Sequence, residues 1–419
     1  MASNDPAIVI IGAGIVGVAT ALELVRRGEK VVLMDPAPPG SGASAGNAGC
    51  LNPSSIMPVS TPGVLWNVPK WLLDPDGPLV LRWSYLPTMF PWLMRFVTAG
   101  SEQKVRTQAQ ALHALVDGAV DATRILSAGT SAGALVEHQG GLVVYQSQES
   151  FDGERLGMEL RAKMGIAVEE ISSEQLRTLE PDLSSNHVRA RFYRGNGHIV
   201  NPQRFIAGLA EAFMRAGGEI LVAKALSFVI TDKRVTGIVT DRGELPAKSV
   251  VLAAGAHSRS LAAQLGDNVP LDTERGYHIM IAEAEAGPRL PTMSSEYKIV
   301  ATPMETGLRV AGTVELAGFT AQPRWERADR LVRLARLMYP GLPEDLPQER
   351  VSRWMGFRPS LPDSLPVIGA SRLAANAFHA YGHGHVGLTA GARTGRIAAD
   401  LASGRRPEID LAPYSAQRF

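Results

Sequence analysis

Residues 7–35 read AIVIIGAGIVGVATALELVRRGEKVVLMD, and this stretch decides the fold class. Ala7–Ile11 is a short apolar run rich in β-branched residues, which is typical of a strand buried on both faces of a parallel sheet. A helix pattern follows from about Val16 to Arg27, and Lys30–Met34 predicts a second buried strand. The stretch therefore predicts a βαβ unit of the Rossmann type.

Three glycines and one acid give this unit a specific chemistry. Gly12 permits a tight turn out of the strand, Gly14 lets the backbone approach a pyrophosphate, and Gly17 lets the helix lie close to the sheet. The helix N-terminus offers unpaired N–H groups to phosphate oxygens. Asp35 lies 18 residues after Gly17 and can accept hydrogen bonds from ribose hydroxyls. The unit predicts a dinucleotide site, and an NAD site has similar features.

The composition bounds the rest of the molecule. The chain has 419 residues, enough for a large core and for two domains. Lys plus Arg number 42 and Asp plus Glu number 41, so the charge gives no reason to expect nucleic acid as a partner. Cys50 is the single cysteine, which excludes an internal disulfide. We interpret it as a small buried residue rather than a flavin attachment point or a nucleophile.

The beginning of the chain bears on location. No basic segment precedes the first apolar run, so we expect no signal peptide. The apolar stretch from residue 7 to residue 25 carries three glycines and meets a charge at Glu23, which argues against a membrane span. We expect a cytoplasmic protein or one peripheral to the inner face of the cell membrane.

The middle of the chain carries weaker signals. Residues 53–100 are rich in proline and hold Trp66, Trp71, Trp83 and Trp92. We interpret them as an irregular part of the core of a second domain, and the alternative is a surface that touches a membrane or a redox partner. Residues 101–127 predict one amphipathic helix. Residues 250–256 predict a buried strand ending in small residues, where a ligand fits at the carboxyl edge of a sheet.

Glycines recur near the C-terminus, in GHGHVGLT at 382–389. Gly382, Gly384 and Gly387 allow close approach of the backbone to a ligand. The two histidines are metal-ligand types, but they stand two residues apart in a glycine-rich loop without a nearby carboxylate, so we predict no metal site. A helix of small residues is predicted from about Ala390 to Ala402.

Taken together, these segments resemble the D-amino-acid oxidase superfamily of flavoproteins, and within it the small-subunit type of bacterial D-amino acid dehydrogenase. The resemblance covers nearly the whole chain. It rests on GAGIVGVATALEL (12–24) with Asp35, SAGNAG (44–49), LLDPDGPL (72–79), VLAAGA (251–256), RGYH (275–278), GFRPSLPDSLPVIG (356–369) and GHGHVGLT. The first motif occurs in many flavoproteins, whereas the later ones in this order are much more specific.

The resemblance implies an α/β plus α+β fold, with a Rossmann-type FAD-binding domain and a substrate domain built on a mostly antiparallel sheet. It implies FAD rather than NAD. Residues 1–58, 190–262 and 350–419 would form the FAD domain, and residues 59–189 and 263–349 the substrate domain. The implied cofactor contacts are Gly12, Gly14, Gly17, Asp35, Ser44, Asn47, Ala48, Gly49, Ala254, Gly255, Gly356, Gly384, His385, Gly387 and Thr389.

One branch of the superfamily departs from this chain. Sarcosine-oxidase-like members attach the flavin to a cysteine near the position of the GFRP motif. Here that neighbourhood holds Met355, and Cys50 lies far away in the sequence. We therefore expect FAD to be bound non-covalently.

The resemblance also implies a reaction. Arg358 of the GFRP motif would bind the substrate carboxylate, because a planar guanidinium pairs with a carboxylate through two parallel hydrogen bonds. Tyr277 would be a second donor to that carboxylate, and His278 would be a third catalytic residue. The expected reaction oxidises a D-amino acid or cyclic imino acid by hydride transfer from Cα to flavin N5, and the imine hydrolyses to a 2-oxo acid.

Several features of that reaction stay open in the sequence. We expect small apolar or proline-like substrates, such as D-proline or hydroxyproline, and electron transfer to a quinone-linked acceptor rather than to oxygen. The alternatives are a glycine- or sarcosine-type amine oxidase that uses oxygen, and a flavin-binding subunit without turnover.

Overall fold

A computed structural model describes residues 6–63 and 79–419. Trp66, Trp71 and nearly all of the LLDPDGPL motif lie outside the described residues. The strands are β1 (Ala7–Ile11), β2 (Val31–Asp35), β3 (Cys50–Leu51), β4 (Leu79–Leu81), β5 (Val136–Glu137), β6 (Gly141–Tyr145), β7 (Glu169–Ile171), β8 (Arg189–Tyr193), β9 (Gly197–Ile199), β10 (Glu219–Val222), β11 (Ala225–Thr231), β12 (Arg234–Thr240), β13 (Gly243–Leu252), β14 (Asp272–Ala282), β15 (Thr292–Ser294), β16 (Ile299–Met304), β17 (Gly307–Leu316), β18 (Val351–Ser360), β19 (Val367–Ala370) and β20 (Ala377–Tyr381).

The α-helices of the described residues lie mostly on the outer faces of the sheets. They are α1 (Ile15–Arg26), α2 (Leu86–Ala99), α3 (Glu102–Val116), α4 (Ala119–Ser127), α5 (Gln148–Asp152), α6 (Arg155–Lys163), α7 (Ser173–Leu179), α8 (Pro202–Arg215), α9 (Ser258–Gln264), α10 (Glu326–Met338) and α11 (Gly387–Ala402).

The first sheet contains the predicted βαβ unit. Its strands run in the order β10-β2-β1-β13-β12-β11, with β20 also paired to β13 and β19 paired to β20. β1 lies between β2 and β13 and is parallel to both. All five residues of β1 are buried, as expected for a strand covered on both faces. The Rossmann-type architecture predicted from residues 7–35 is confirmed.

Helices α1 and α11 cover one face of this sheet at close range. A Cβ added at Gly395 of α11 would lie 2.5 Å from the Cβ of Ala19 on α1. This contact lets the two helices pack directly on each other, and Leu22, Ile10 and Ala398 join the same apolar core. A second core on the opposite face holds Val9 and residues of α9. Because β10, β2, β1, β13 and β20 are paired in parallel, their carboxyl ends lie at one shared edge of the sheet.

The second sheet is mostly antiparallel, as predicted. Its order is β18-β14-β17-β16-β15-β6-β8-β7, and β4 also pairs with β17. Among the described strands, only the β15–β6 and β17–β4 pairs of this sheet are parallel. Helix α10 packs on one face through Leu331 and Leu334. The other face turns towards the first sheet.

Three sequence-based expectations need correction. Residues 101–127 form two helices, α3 and α4, because the chain breaks at Asp117 and at Gly118, which has a φ of +63°. The segment from residue 86 to residue 97 is helical rather than irregular: α2 has proline at its first turn and Pro91 inside. Strands β8 and β18 belong to the second sheet, whereas the predicted division placed residues 190–262 and 350–419 with the first. The division into two domains otherwise stays a prediction.

Candidate active site

A cleft of about 1540 Å³ lies between the two sheets. Small-molecule sites usually occupy about 300–1000 Å³, so this cleft has room for a larger ligand together with a substrate. Its walls come from both sheets. They include the carboxyl ends of β1 and β13, residues 41–52, the centre of β14, β17 and β18, and the N-terminus of α11.

The turn after β1 has the geometry of a phosphate site. Gly12 has a φ of +109°, and a Cβ there would lie 2.4 Å from the carbonyl oxygen of Ala253. A Cβ on Gly17 would lie 1.8 Å from the Gly12 oxygen, so α1 touches the turn. A Cβ on Gly14 would meet only the Ser44 hydroxyl, at 3.4 Å. Protein packing therefore does not require glycine at 14, whereas a ligand lying against the backbone would.

Asp35 and Ser44 flank this turn. Asp35 Oδ2 accepts a hydrogen bond of 2.8 Å from the Ala13 N–H, and Oδ1 accepts one of 2.9 Å from the Ala37 N–H. The Ser44 hydroxyl accepts from the Ile15 N–H at 3.2 Å. Asp35 therefore stands at the end of β2 inside the cleft wall, where its remaining lone pairs can accept from a ribose.

Residues 44–49, which we call the cofactor loop, cross the cleft from the first sheet to the second. The Asn47 side chain accepts from the Gly49 N–H at 2.8 Å and shapes the turn. Gly49 has a φ of +81°, and a Cβ there would lie 2.6 Å from the Ile199 oxygen. Asn47 and Ala48 line the cleft, so the loop is close-packed behind and open in front.

Further predicted contacts come from two chain segments far apart in sequence. Ala254 and Gly255 follow β13, and Gly384 and Gly387 precede or open α11. A Cβ on Gly255 or on Gly384 would have no protein atom within 4 Å. These positions therefore border the open cleft, and the structure brings them to the same cavity as the turn after β1.

The N-terminus of α11 also faces this cavity. The first N–H groups of a helix have no partner within it and carry a partial positive charge. The Thr389 hydroxyl donates to the Cys50 oxygen and accepts from the Asn52 N–H, both at 3.2 Å. Its side chain therefore ties the helix to residues 50–52, directly after the cofactor loop. The backbone N–H groups at 387–389 have no partner among the described residues and remain available to a ligand.

Arg358 lies where the second sheet faces the cleft. The β14–β18 register places Arg358 opposite Glu274 and Gly356 opposite Gly276. A Cβ added to Gly276 would lie 2.5 Å from the Arg358 guanidinium carbon, so the guanidinium lies flat over this glycine. Burial lowers the pKa of Arg358, and the Glu274 charge partly offsets this effect. No carboxylate within residues 6–63 and 79–419 lies within 4.0 Å of it.

The structure does not bring the Tyr277 hydroxyl to the same side of the sheet as the Arg358 guanidinium. Because side chains alternate along β14, Tyr277 and Arg358 point to opposite faces of the sheet. The Tyr277 hydroxyl donates to Glu315 at 2.5 Å and accepts from the Arg324 N–H at 3.0 Å. The single hydroxyl proton of Tyr277 is thus already donated to Glu315, which argues against the predicted role of Tyr277 as a second donor to the substrate carboxylate.

His278 lies on the same face as Arg358 but behind the cofactor loop. Its Nδ1 donates to the Gly46 oxygen at 3.0 Å, and its ring stacks on Trp354 at 5.0 Å. Burial, followed by the charges of Arg309 and Arg358, lowers the pKa of His278 to about 3. The imidazole is therefore neutral at physiological pH, and it positions the loop rather than touching the cleft contents.

The GHGH histidines are also neutral. Burial lowers the pKa of His383 to about 4. The pKa of His385, which is exposed in the open cleft, is also lowered, by partial removal from solvent and then by the Arg358 charge. Both histidines line the cleft, and His383 Nε2 lies 3.0 Å from the Thr394 hydroxyl. No group of three or more metal-ligating side chains occurs in the part of the chain that the structure describes.

Cys50 borders the cleft with a protonated thiol. Burial raises its pKa to about 11, and its sulfur lies 4.0 Å from the Thr302 hydroxyl. A thiol with a raised pKa is a poor nucleophile. This agrees with the interpretation of Cys50 as a packing residue.

Sequence reasoning missed two residues beside the site. Thr313 is the extra residue of a β-bulge opposite Gly276 and Tyr277, and it has a φ of +80°. Its carbonyl oxygen accepts from Arg358 Nη1 at 3.3 Å, and its hydroxyl is buried without a partner. A β-branched residue rarely adopts this φ, so propensity could not reveal it. Arg309 of β17 holds two carbonyls of the cofactor loop, and no motif contains it.

Comparisons with known proteins agree with this geometry. Residues 7–401 match the family described as FAD dependent oxidoreductase (DAO). The chain belongs to the DAO family of FAD-dependent oxidoreductases. It is 43% identical over 415 residues to a D-amino-acid oxidase of Bradyrhizobium diazoefficiens, and 30% identical over 420 residues to a D-amino acid dehydrogenase of the same organism. Each alignment covers 98% of both chains.

Solved structures show the same fold. Glycine oxidase from Geobacillus kaustophilus superimposes with a TM-score of 0.75 at 22% identity over the whole of both chains. An L-amino acid deaminase from Proteus vulgaris gives 0.76 at 17% identity, over 100% of this chain and 98% of the other. FAD is thus the cofactor, as predicted, and the open backbone at Gly14, Gly255 and Gly384 fits a bound dinucleotide.

Proposed function

We propose that this chain oxidises D-amino acids, with Arg358 binding the α-carboxylate of the substrate. The observation that carries the proposal is a cation in the cleft wall without a carboxylate partner among the described residues. A half-buried charge without a paired carboxylate is costly, and Glu274 on the neighbouring strand compensates Arg358 only in part. A substrate carboxylate would supply the missing counter-ion. The two relatives at 43% and 30% identity are named for D-amino acids, which supports the D configuration.

The chain's own groups would mainly bind and orient the substrate. The Arg358 guanidinium has five N–H donors, and one is directed to the Thr313 oxygen. The others can pair with a carboxylate in a fork, which fixes the substrate in translation and rotation. Gly276 leaves room for the Arg358 guanidinium, and Gly356 leaves room for the Trp354 ring, because a Cβ at either position would lie within 2.5 Å of that side chain.

Bound FAD supplies the acceptor for the hydride that leaves Cα. Gly12, Gly14 and α1 would hold its pyrophosphate, Asp35 its ribose, and the cofactor loop with the α11 N-terminus its ring. Cys50 keeps its proton at neutral pH, and the expectation of non-covalent FAD stays part of this proposal. Acid precipitation should release the flavin into the supernatant, whereas flavin retained in the pellet would contradict it.

A substrate panel tests the proposal. We expect turnover with D-amino acids and none with their L enantiomers, measured under air and, separately, with an artificial dye without oxygen. Glycine and sarcosine test the amine-oxidase alternative, and a yellow protein without turnover on the panel would indicate a flavin-binding subunit. A higher rate with the dye than with oxygen would support the quinone-linked acceptor that we propose.

A peripheral membrane contact is the remaining part of the proposal. Trp83, Phe90 and Met94 are 71%, 56% and 49% exposed, and the last two lie on one face of α2. No helix within the described residues is long and apolar enough to cross a membrane. Sedimentation with anionic lipid vesicles should decrease in a Trp83→Ser/Phe90→Ser variant. Equal sedimentation of variant and wild type would remove the membrane contact from the proposal.

A further inference from the structure

The cofactor loop is held from behind by the second sheet. Arg309 Nη1 donates to the oxygen of Asn47 at 2.5 Å and to that of Ala45 at 3.2 Å. His278 Nδ1 donates to the oxygen of Gly46 between them. Three consecutive carbonyl groups are therefore fixed by two side chains from β14 and β17.

The opposite ends of two of these peptide groups face the cleft. In a trans peptide unit the C=O of one residue and the N–H of the next point in opposite directions. Arg309 holds the oxygens of residues 45 and 47, so the matching N–H groups belong to Gly46 and Ala48. Neither N–H has a hydrogen-bond partner in the described part of the chain, and both residues line the cleft.

The charge of Arg309 is also unbalanced. No carboxylate among the described residues lies within 4.0 Å of its guanidinium, and its Nε is buried without a partner. Burial lowers its pKa to about 10, so Arg309 stays cationic near neutral pH. Removing a cation from water without a counter-ion costs free energy, and the protein retains it next to a loop that faces the cofactor.

We propose that Arg309 is a positioning residue that directs the N–H groups of Gly46 and Ala48 at bound FAD and stabilises the negative charge that the flavin gains on reduction. A cation on the oxygen side of a peptide strengthens donation from its N–H, since linked hydrogen bonds polarise one another. Two unpaired backbone donors in one short loop can form an anion-binding site of the kind that stabilises developing charge. The inference rests on FAD, which the family establishes, and not on the identity of the substrate.

Sulfite binding tests the charge directly. Sulfite adds through sulfur to oxidised flavin, and its electron pair enters the ring, so the bound form carries negative charge and needs no other reductant. The probe is sodium sulfite added to the FAD-loaded protein, followed by the loss of visible flavin absorbance. At an effective dielectric constant of about 20, a unit charge at a separation of the order of 8 Å from an anion changes the anion's affinity by about 10- to 30-fold.

Arg309→Gln should therefore weaken sulfite binding by about 10- to 30-fold and lower the flavin midpoint potential, while Arg309→Lys should stay within about threefold of wild type. Arg309→Met replaces the glutamine variant if that protein does not retain FAD. The matched control is Arg350→Gln, because Arg350 also donates to two backbone carbonyls but pairs with Glu285 outside the cleft.

Two results would overturn the proposal. One is a neutral variant that holds FAD and binds sulfite as tightly as wild type. The other is a lysine variant as weak as the neutral one, because the charge would then not be responsible. A failure of the substrate panel would leave both readouts unaffected, so this inference and the proposed function fail separately.

Discussion

Replacement of Arg358 tests the carboxylate site most sharply. Arg358→Lys keeps the charge but cannot form two parallel bonds to one carboxylate. Losing one charge-assisted hydrogen bond is worth about 1.5–3 kcal/mol, or about 10- to 150-fold in kcat/KM. Arg358→Ala also leaves the substrate carboxylate without a counter-ion. Losing a charged partner of this kind costs about 2–5 kcal/mol, which corresponds to a decrease in kcat/KM of roughly 30- to several-thousand-fold.

The assay is steady-state kinetics with the best D-amino acid of the panel, together with FAD content from the visible spectrum. FAD content should stay near that of wild type, since Arg358 projects from the second sheet, whereas the glycine-rich turn after β1 belongs to the first sheet. The control is Arg353→Ala on the same strand, whose exposed guanidinium pairs with Asp329 at 2.8 Å. An Arg358→Ala protein within about threefold of wild type in kcat/KM would refute the assignment. Arg161, the other arginine of the described cleft wall, would then be the candidate anchor.

Three further predictions concern the cofactor and the scaffold. Asp35→Ala should raise the Kd for FAD by about 10- to 150-fold, the effect of charge-assisted hydrogen bonds worth about 1.5–3 kcal/mol; an unchanged Kd in a fluorescence titration would exclude the ribose contact. The free energy of unfolding of Thr313→Gly should exceed that of Thr313→Ala by about 1 kcal/mol, because only glycine adopts a φ of +80° without strain. Equal urea midpoints for the two variants would show that the bulge is unstrained. Burial alone would raise the pKa of Asp267, but hydrogen bonds from His379 and the Arg372 N–H hold it below its ordinary value. Its carboxylate therefore stabilises the fold above the unfolded pKa of about 3.9, and the stability difference between wild type and Asp267→Asn should shrink as pH falls below about 4; a constant difference down to pH 3 would contradict this.

Local sequence patterns predicted the first unit of the fold well. The strand at Ala7–Ile11 has the predicted bounds, and α1 begins one residue before its prediction. Asn201 caps α8, with its side chain accepting from the Arg204 N–H, and the Asn201-Pro202 pair is a local signal for such a helix start. Each of these features is encoded by neighbouring residues, by period, by a capping side chain or by glycine spacing.

The errors arose where distant parts of the chain decide the outcome. Which face of β14 Tyr277 occupies depends on its register with β18, and no local pattern around RGYH encodes that register. Arg309 reads as an ordinary strand residue until β17 is paired and the cofactor loop lies across it. Thr313 contradicts its own propensity, because a bulge opposite Gly276 imposes its backbone conformation.

The order of strands in the first sheet has a consequence for biosynthesis. β1 pairs with β13, β13 pairs with β20, and α11 follows β20. During synthesis, the glycine-rich turn after β1 therefore emerges more than 350 residues before α11, the helix that completes the cavity. Pairing over such separations is slow, and a nascent chain exposes an unfinished sheet edge until its last segment emerges. We therefore expect the flavin to bind only after synthesis of the chain is complete, and truncation after β18 should yield a colourless, aggregation-prone product.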